Sequence, residues 1–411
     1  MLKYNTTPRK REIMTSKTNA NDKEKSDVIV LEEDSPVLTI KNFSCIKSLT
    51  VNFKRVVVFI GEQASGKSVT CKLYYFFTQA LKKVSIASLQ ENLEVEEFKK
   101  RLLQEFYSIF PETTWRNDTF SIEWKFGARQ MNVSHNRGNK RVKFELCDYE
   151  NCYGNALKKV RQYTSRQTKD DDFDFRWRMR DVVRSAFAIN FQNLQVDYIP
   201  AGRSFFSTIQ DTVFSLLSNN VGIDYFLKEF GRQLENFRQT EYFENRTWDS
   251  FENLCNPIIH GKYLYDGKEQ WLISDKNHKV RLADASSGQQ EALPLLMFLM
   301  RLGHLARNRS GMSRILIEEP EAHLYPTAQQ RIIDIIAEHL KANRKIGSII
   351  TTHSPFILCC LNNVLKKLAN LRNSVSAYHL HDGVGDTIYD EELGLINAER
   401  FDNISLEIAN A

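Results

Sequence analysis

Two adjacent carboxylates, Glu318 and Glu319, close a run of branched apolar residues in "ILIEEPEAHLYP" (315–326). Ionised neighbours at the end of a buried strand repel one another and resist desolvation. The pair therefore calls for a positive charge close by, most simply a metal ion held by oxygen ligands.

A second constellation answers that demand. "GEQASGKS" (61–68) fits G-x-x-x-x-G-K-[ST], with the continuous apolar run "RVVVFI" leading in and a helix-forming stretch leading out. Glycines let successive backbone N–H groups turn toward an anion, and the following helix adds its positive end. Lys67 can reach outer phosphates as a point charge, and the Ser68 hydroxyl can ligate Mg²⁺. The bland alternative is a glycine-rich strand-to-helix turn with an incidental lysine. In phosphate-loop proteins a neighbouring strand ends in an acid that holds Mg²⁺. Glu318 has that position, and Glu319, one residue on, could orient and deprotonate a water attacking the γ-phosphate. Two acids on a solvated strand end are the alternative.

Two further pieces carry less on their own. "ASSGQQEALPLL" (285–296) is a Ser-Ser-Gly turn opening an amphipathic helix. Ser286 or Ser287 could cap that helix, and the same geometry offers hydroxyls and free N–H groups to an anion. "SIITTHSP" (348–355) is an apolar strand ending in polar residues and His353, one βα unit beyond the acid pair.

The elements that must position these residues follow a simple order. "PVLTIKNFSCIKSLTVNF" (36–53) reads as two strands, and "RVVVFI" as a strand buried on both faces. Helices are expected over "GKSVTCKLYYFFTQALKK" (66–83) and "LQENLEVEEFKKRLLQEFYSIF" (89–110), then strands between about 120 and 146. Residues 154–247 read as charged and mostly helical, interrupted by "VDYIPAGRS", and "KYLYDGKEQWLISDKNHKVRL" (262–282) as a β-meander. The last third alternates: helix from Ser287, strand at Arg314, helix from Pro326, strand "GSIITT", helix from Pro355, strand "VSAYHL". This βαβ order predicts an α/β fold with a mostly parallel core sheet, an antiparallel β subdomain and an inserted mixed β/helical lobe over about 85–250. A polar tail over 1–34 precedes a head over 35–410.

Composition sets the outer limits. The 411 residues are 42% hydrophobic and 26% charged, and the net charge of +5 does not by itself imply nucleic acid. Seven scattered cysteines form no C-x-x-C pair, which argues against zinc and fits reduced thiols in a cytoplasmic protein. "ALPLLMFLM" is about half the roughly 20 residues needed to span a bilayer, so a membrane role is not expected.

Taken in order, the phosphate loop, the Ser-Gly-Gln turn, "EEPEAHLYP" and "TTHSP" resemble the ABC-type ATPase heads of the Rad50/SMC/RecF group. The overcoming-lysogenisation-defect (OLD) ATPases and related AAA-type ATPases of prokaryotes are the most similar. The resemblance covers roughly 36–80 and 195–400. It implies two heads stacked head-to-tail around two ATP molecules, so that one head lacks half of its site. Carried over, Gly61, Ser65, Gly66, Lys67, Ser68 and Val69 hold one nucleotide. Glu318, with Ser68, positions Mg²⁺, Glu319 is the catalytic base and His353 senses the γ-phosphate. Ser287, Gly288 and Gln290 cap the nucleotide of the other subunit, and "EAHLYP" crosses the interface with His323 its foremost contact. Two positions depart from the pattern. Gln289 stands where a second glycine is usual, and the first acid is Glu rather than Asp. A glutamine that follows a strand in these heads has two candidates, Gln192 and Gln195, with Arg203 in the loop beyond, and the pattern assigns none of them.

Fewer than sixty residues follow His353, too few for the Toprim nuclease domain that OLD relatives carry. About 220 residues separate the phosphate loop from the Ser-Gly-Gln turn, room for an inserted lobe. Within it "RGNKRVKF", "KKVRQYTSRQ" and "FRWRMRDVVR" could track a phosphate backbone or be solvated faces diluted by "KDDDFDF". The resemblance thus implies a stand-alone ATPase that hydrolyses ATP slowly and switches conformation. Its expected partner is a separately encoded effector, in the manner of two-component prokaryotic antiphage systems. A RecF-like DNA repair ATPase and an ATP-dependent scaffold are the other readings.

Overall fold

The computed structural model describes residues 35–164, 194–208, 223–238, 255–308 and 312–401, apart from positions 128, 139, 140, 267, 268, 275 and 400. The 1–34 tail, "FRWRMRDVVR", "KDDDFDF" and Gln192 lie outside the described residues.

Strands β1 (Val37–Phe43), β2 (Ile46–Asn52) and β3 (Val56–Gly61) open the fold. Then come helices α1 (Lys67–Tyr75), α2 (Leu81–Gln90) and α3 (Val95–Ile109). Strands β4 (Phe120–Phe126), β5 (Arg129–His135) and β6 (Lys143–Glu145) precede α4 (Asp148–Thr164) and β7 (Gln195–Ile199). Helices α5 (Phe205–Thr208) and α6 (Tyr225–Arg238) lead to a separate small sheet of β8 (Lys262–Tyr265), β9 (Gln270–Ile273) and β10 (Lys279–Arg281). The last third runs α7 (Ser287–Asn308), β11 (Ser313–Glu318), α8 (Pro326–Ala342), β12 (Ile346–Thr352), α9 (Pro355–Lys367), β13 (Val375–His381) and β14 (Val384–Thr387). A short hairpin, β15 (Tyr389–Asp390) with β16 (Leu395–Ile396), ends it.

The fold is α/β. Strands β13, β3, β12, β11 and β7 pair in parallel in that order. The antiparallel strands β6, β5, β4, β1 and β2 are continuous with this core, because β14 turns back along β13 and touches β2, making one sheet of eleven strands. The antiparallel part is a wing of the main sheet, and the strands β4 to β6 expected in the inserted lobe extend that wing.

Every residue of β3, β11 and β12 is buried, and their apolar stretches Val56–Ile60, Ile315–Ile317 and Ile349–Ile350 follow from burial on both faces. Val57 and Phe59 of β3 enter a core with Phe53, Tyr74, Phe77 and Trp124. Val56, Val58 and Ile60 enter the opposite core with Leu293, Ile332 and Ile357. Trp124 stacks flat on Phe77 at 5.3 Å and 6° and meets Tyr74 edge-on, so one aromatic cluster locks α1 to the antiparallel wing.

Two helices differ from the expected spans for local reasons. Between α1 and α2 the chain makes a π-helical turn at Phe76–Ala80, where the Thr78 hydroxyl donates back to Tyr74 O and Tyr75 O. The stretch from 89 to 110 breaks into two helices, because Asn92 adopts a left-handed conformation (φ 58°) just beyond α2.

Candidate functional site

Parallel pairing brings the functional segments to one edge. Thr352 at the end of β12 pairs with Ile60, Glu318 with Thr351, and Ile317 with Ile199. The phosphate loop, the 352–354 turn, the acid pair and the loop after β7 therefore leave the sheet side by side, at the strand carboxyl ends where α/β sheets bind ligands.

The phosphate loop begins at Gly61 and ends at Gly66, which caps α1 in a left-handed conformation (φ 106°). A Cβ on Gly66 would come within 2.5 Å of the Ile46 side chain, so the turn into α1 admits only glycine. Lys67 is 5% exposed, and its Nζ donates to Gly61 O and Glu62 O at 2.8 Å each and to Ser65 Oγ at 3.4 Å. Burial pushes the Lys67 pKa below the ordinary lysine value, against the opposing pull of Glu319, Glu321 and Glu318. Ser68 is exposed on the first turn of α1, and Val69 is half-buried and packs on the core.

The two acids are held differently. Glu318 is 7% exposed, and one oxygen accepts the Tyr198 hydroxyl at 2.8 Å while the other accepts the Ala201 N–H at 3.2 Å. Glu319 adopts a left-handed backbone (φ 45°), a conformation that costs about 1–3 kcal/mol in a non-glycine residue. Hydrogen bonds on both sides maintain it: its N–H donates to Thr351 O at 2.9 Å, and its carbonyl accepts from Ala322 N–H and Arg203 Nη2 at 3.0 Å each. This turn brings the second carboxylate to His353, whereas the first is held by Tyr198 and Ala201. Glu319 Oε1 lies 3.2 Å from His353 Nε2, and His353 Nδ1 lies 3.5 Å from Lys67 Nζ.

Positive charge that the acid pair requires is present in the chain itself. Lys67 interacts with both carboxylates, and Arg203 bonds the backbone carbonyls of both residues. Arg203 is fully buried, with Nη1 donating to Glu318 O at 2.8 Å and Pro200 O at 3.3 Å, and Nε to Glu291 O at 3.0 Å. Its Nε also lies 3.3 Å from a carboxylate oxygen of the buried Glu291. Burial lowers the Arg203 pKa, while Glu291, Glu321, Glu319 and Glu318 pull it back up. Nothing in "YIPAGRS" beyond an arginine after a buried strand signals this role.

The Ser-Gly-Gln turn is built as a helix cap. Ser286 N–H and Oγ both donate to Gln289 Oε1 (3.1 and 3.0 Å), and Gln289 N–H returns to Ser286 Oγ at 3.4 Å, a reciprocal capping box. Gln289 Nε2 also donates to Ile259 O at 2.7 Å, so the side chain in the second glycine position fastens α7 to the segment before β8. Gln290 turns its amide inward onto Leu282 O, Ala283 O and Ala285 O. Pro294 inside α7 has no N–H for the carbonyl of Gln290, which instead accepts the Ser207 hydroxyl at 2.9 Å. A Cβ on Gly288 would meet His323 O at 2.7 Å, which places the turn directly against the "EAHLYP" loop of the same chain. His323 is exposed on that loop and left-handed (φ 56°), and the neighbouring Tyr325 is 76% exposed.

The structure thus brings together Gly61, Ser65, Lys67, His353 and Glu319 through direct contacts, with Glu318 adjoining them on β11. Ser287, Gly288 and Gln290 sit apart, against residues 282–285 and 323. Gln195 is the first residue of β7, at the opposite end of that strand from the site, and donates to Asp197 Oδ1 at 3.2 Å. Among the basic stretches of the lobe, Arg161 pairs with Glu94 and Lys143 with Glu145. Tyr198, Glu291 and Glu321 escaped the sequence reading, and Arg203 was named there without a role, because each acts on partners far apart in the chain.

Among the described residues no helix is long and apolar enough to cross a membrane. No curated protein matches the chain. Solved structures similar to it include the SMC head domain from Thermotoga maritima, at 13% identity over 86% of this chain and 98% of that one, with a TM-score of 0.36. The recombination mediator protein RecF with ATP matches at 12% identity over 86% of this chain and 99% of that one, TM-score 0.36. An ATP-binding cassette of an ABC transporter in its ADP conformation matches at 12% over 87% and 92%, TM-score 0.33. Residues 206–358, which hold the Ser-Gly-Gln turn, the acid pair and His353, match the family model of the AAA ATPase domain.

Proposed function

We propose that the chain is an ABC-type ATPase that binds ATP on the β3 phosphate loop and hydrolyses it slowly as a dimeric or larger conformational switch. One observation carries this reading. The His353 ring reaches Lys67 and Glu319 at once, joining the lysine of the phosphate loop to the second carboxylate of the acid pair.

In this account Gly61, Ser65 and Gly66 offer backbone N–H groups to the phosphates, and Lys67 leaves its loop carbonyls for the outer oxygens. Glu319 accepts a proton from the attacking water, and His353 reads the γ-phosphate through its contact with Lys67. The donor set fits Mg²⁺: Ser68 offers an exposed hydroxyl, and each Glu318 oxygen keeps a lone pair beyond its single hydrogen bond. When bound, Mg²⁺ would neutralise charge on the β- and γ-phosphates. Val69 supports α1 from the core. Ser287 and Gly288 open α7, whose unpaired N–H groups suit a phosphate brought by a second copy. Gln290 serves that face through its hold on 282–285, and His323 would meet the second copy from the neighbouring loop.

The resemblance to the OLD-type ATPases further suggests a subunit that works with a separately encoded effector, a nuclease above all, in antiphage defence. Replacing Lys67 by Ala tests the reading: ATP binding and turnover should both be lost. Unchanged ATP binding would refute it. Co-purification of a stable complex with a neighbouring gene product would support the effector role, and full activity of this protein alone on nucleic acid would sink it.

A further inference from the structure

Three carboxylates, Glu318, Glu319 and Glu321, lie at and just beyond the end of β11, and the account above employs two. The third, Glu321, directs Oε1 to the next strand, where it accepts the Thr352 hydroxyl at 2.6 Å and the His353 N–H at 2.8 Å. Thr352 is fully buried, and its hydroxyl oxygen in turn accepts the Ser354 N–H at 2.9 Å. The other Glu321 oxygen is buried without a hydrogen bond among the described residues. A half-satisfied buried carboxylate is costly, and a neutral acceptor would serve if fastening a turn were the whole task.

We infer that Glu321 is the positioning residue that fixes His353 between Lys67 and Glu319. Thr352 is the last ladder residue of β12, so the His353 peptide lies beyond the sheet. Glu321 supplies the acceptor that the missing ladder would have given. The ring contacts at 3.2 and 3.5 Å leave little tolerance, since a displacement of about 1 Å is enough to cost a catalytic constellation its geometry. The same carboxylate draws on the charges of Lys67 and Arg203, so it also belongs to the site's electrostatics. The kinetic consequence rests on the proposed ATPase function, whereas the positional one does not.

The test is a cycle of variants in the full chain: Glu321→Ala, Glu321→Gln, His353→Ala and Glu321→Ala with His353→Ala. Glu321→Ala should lower kcat by ~10-fold or more with KM for ATP nearly unchanged. Glu321→Gln keeps an accepting oxygen and should lose clearly less. In the His353→Ala background the alanine at 321 should cost nothing further. An equal loss with and without His353 would overturn the inference. Should Glu321→Ala fail to fold, Thr352→Val removes one of the two donors and should give a partial loss that again vanishes without His353. If the wild type turns over no ATP, the proposed function fails, and the inference is read from the histidine ring NMR signals. The His353 signal should respond to Glu319→Gln in the wild type and lose that response in Glu321→Ala. A response that persists would overturn it.

Discussion

His353 Nε2 stands 3.2 Å from Glu319 Oε1, and the far side of the same ring faces Lys67. The two residues immediately follow adjacent parallel strands, β12 and β11, and meet where Glu319 takes a left-handed turn that a strand continuation would not allow. Replacing His353 by Ala should reduce kcat by ~10²-fold while leaving ATP affinity within a few-fold. Steady-state turnover with an independent binding measurement checks this, and an equal fall in both would mean that His353 serves only to hold nucleotide.

Lys67 links the site to pH. In the proposed function phosphate binds its charged form and raises its pKa, so affinity is complete below the free-protein value and declines as pH rises through it. Burial sets that value below the ordinary 10.5. ATP affinity measured from pH 7 upward should therefore begin to fall short of pH 10.5. A level profile up to the ordinary lysine value would contradict the placement of Lys67.

Arg203 ties β7, β11 and α7 together from a fully buried position. Arg203→Met strands Glu291 without its partner and should cost ~3–5 kcal/mol of stability. Adding Glu291→Gln in that background should recover part of the loss. Denaturant unfolding would show both, and a midpoint unmoved by Arg203→Met would exclude the brace.

Gln289 occupies a position where a second glycine is usual in the heads that the sequence resembles. Its side chain completes a capping box with Ser286 and reaches Ile259 O. Gln289→Gly should lower stability by ~1 kcal/mol and leave turnover no higher. Faster turnover at unchanged stability would show that Gln289 restrains closure.

Much of this arrangement was legible in the residues themselves. The runs leading to Gly61, Glu318 and Thr352 are rich in apolar and β-branched residues because both faces of those strands are covered, and Pro326 and Pro355 mark helix starts where a missing N–H costs nothing. Long-range pairing was not legible. Arg203 contacts carbonyls more than 80 residues away, and Glu321 finds Thr352 and His353 only because β11 and β12 are neighbours in the sheet. The single eleven-stranded sheet depends on β14 reaching β2 through one residue pair, Val384 with Ser48, which no local pattern announces. Gln289 reads from the sequence only as a departure from the pattern, because the capping box requires knowing that Ser286, rather than Ser287, is the cap.

ATP turnover measured together with solution mass, for the wild type and for Glu319→Gln, tests the central claim most directly. The account predicts that the wild type hydrolyses ATP, while the variant binds it without turnover and accumulates as a stable ATP-bound dimer or larger assembly. Two proteins that bind ATP, hydrolyse none and assemble identically would contradict it, and would make the chain a nucleotide-dependent scaffold.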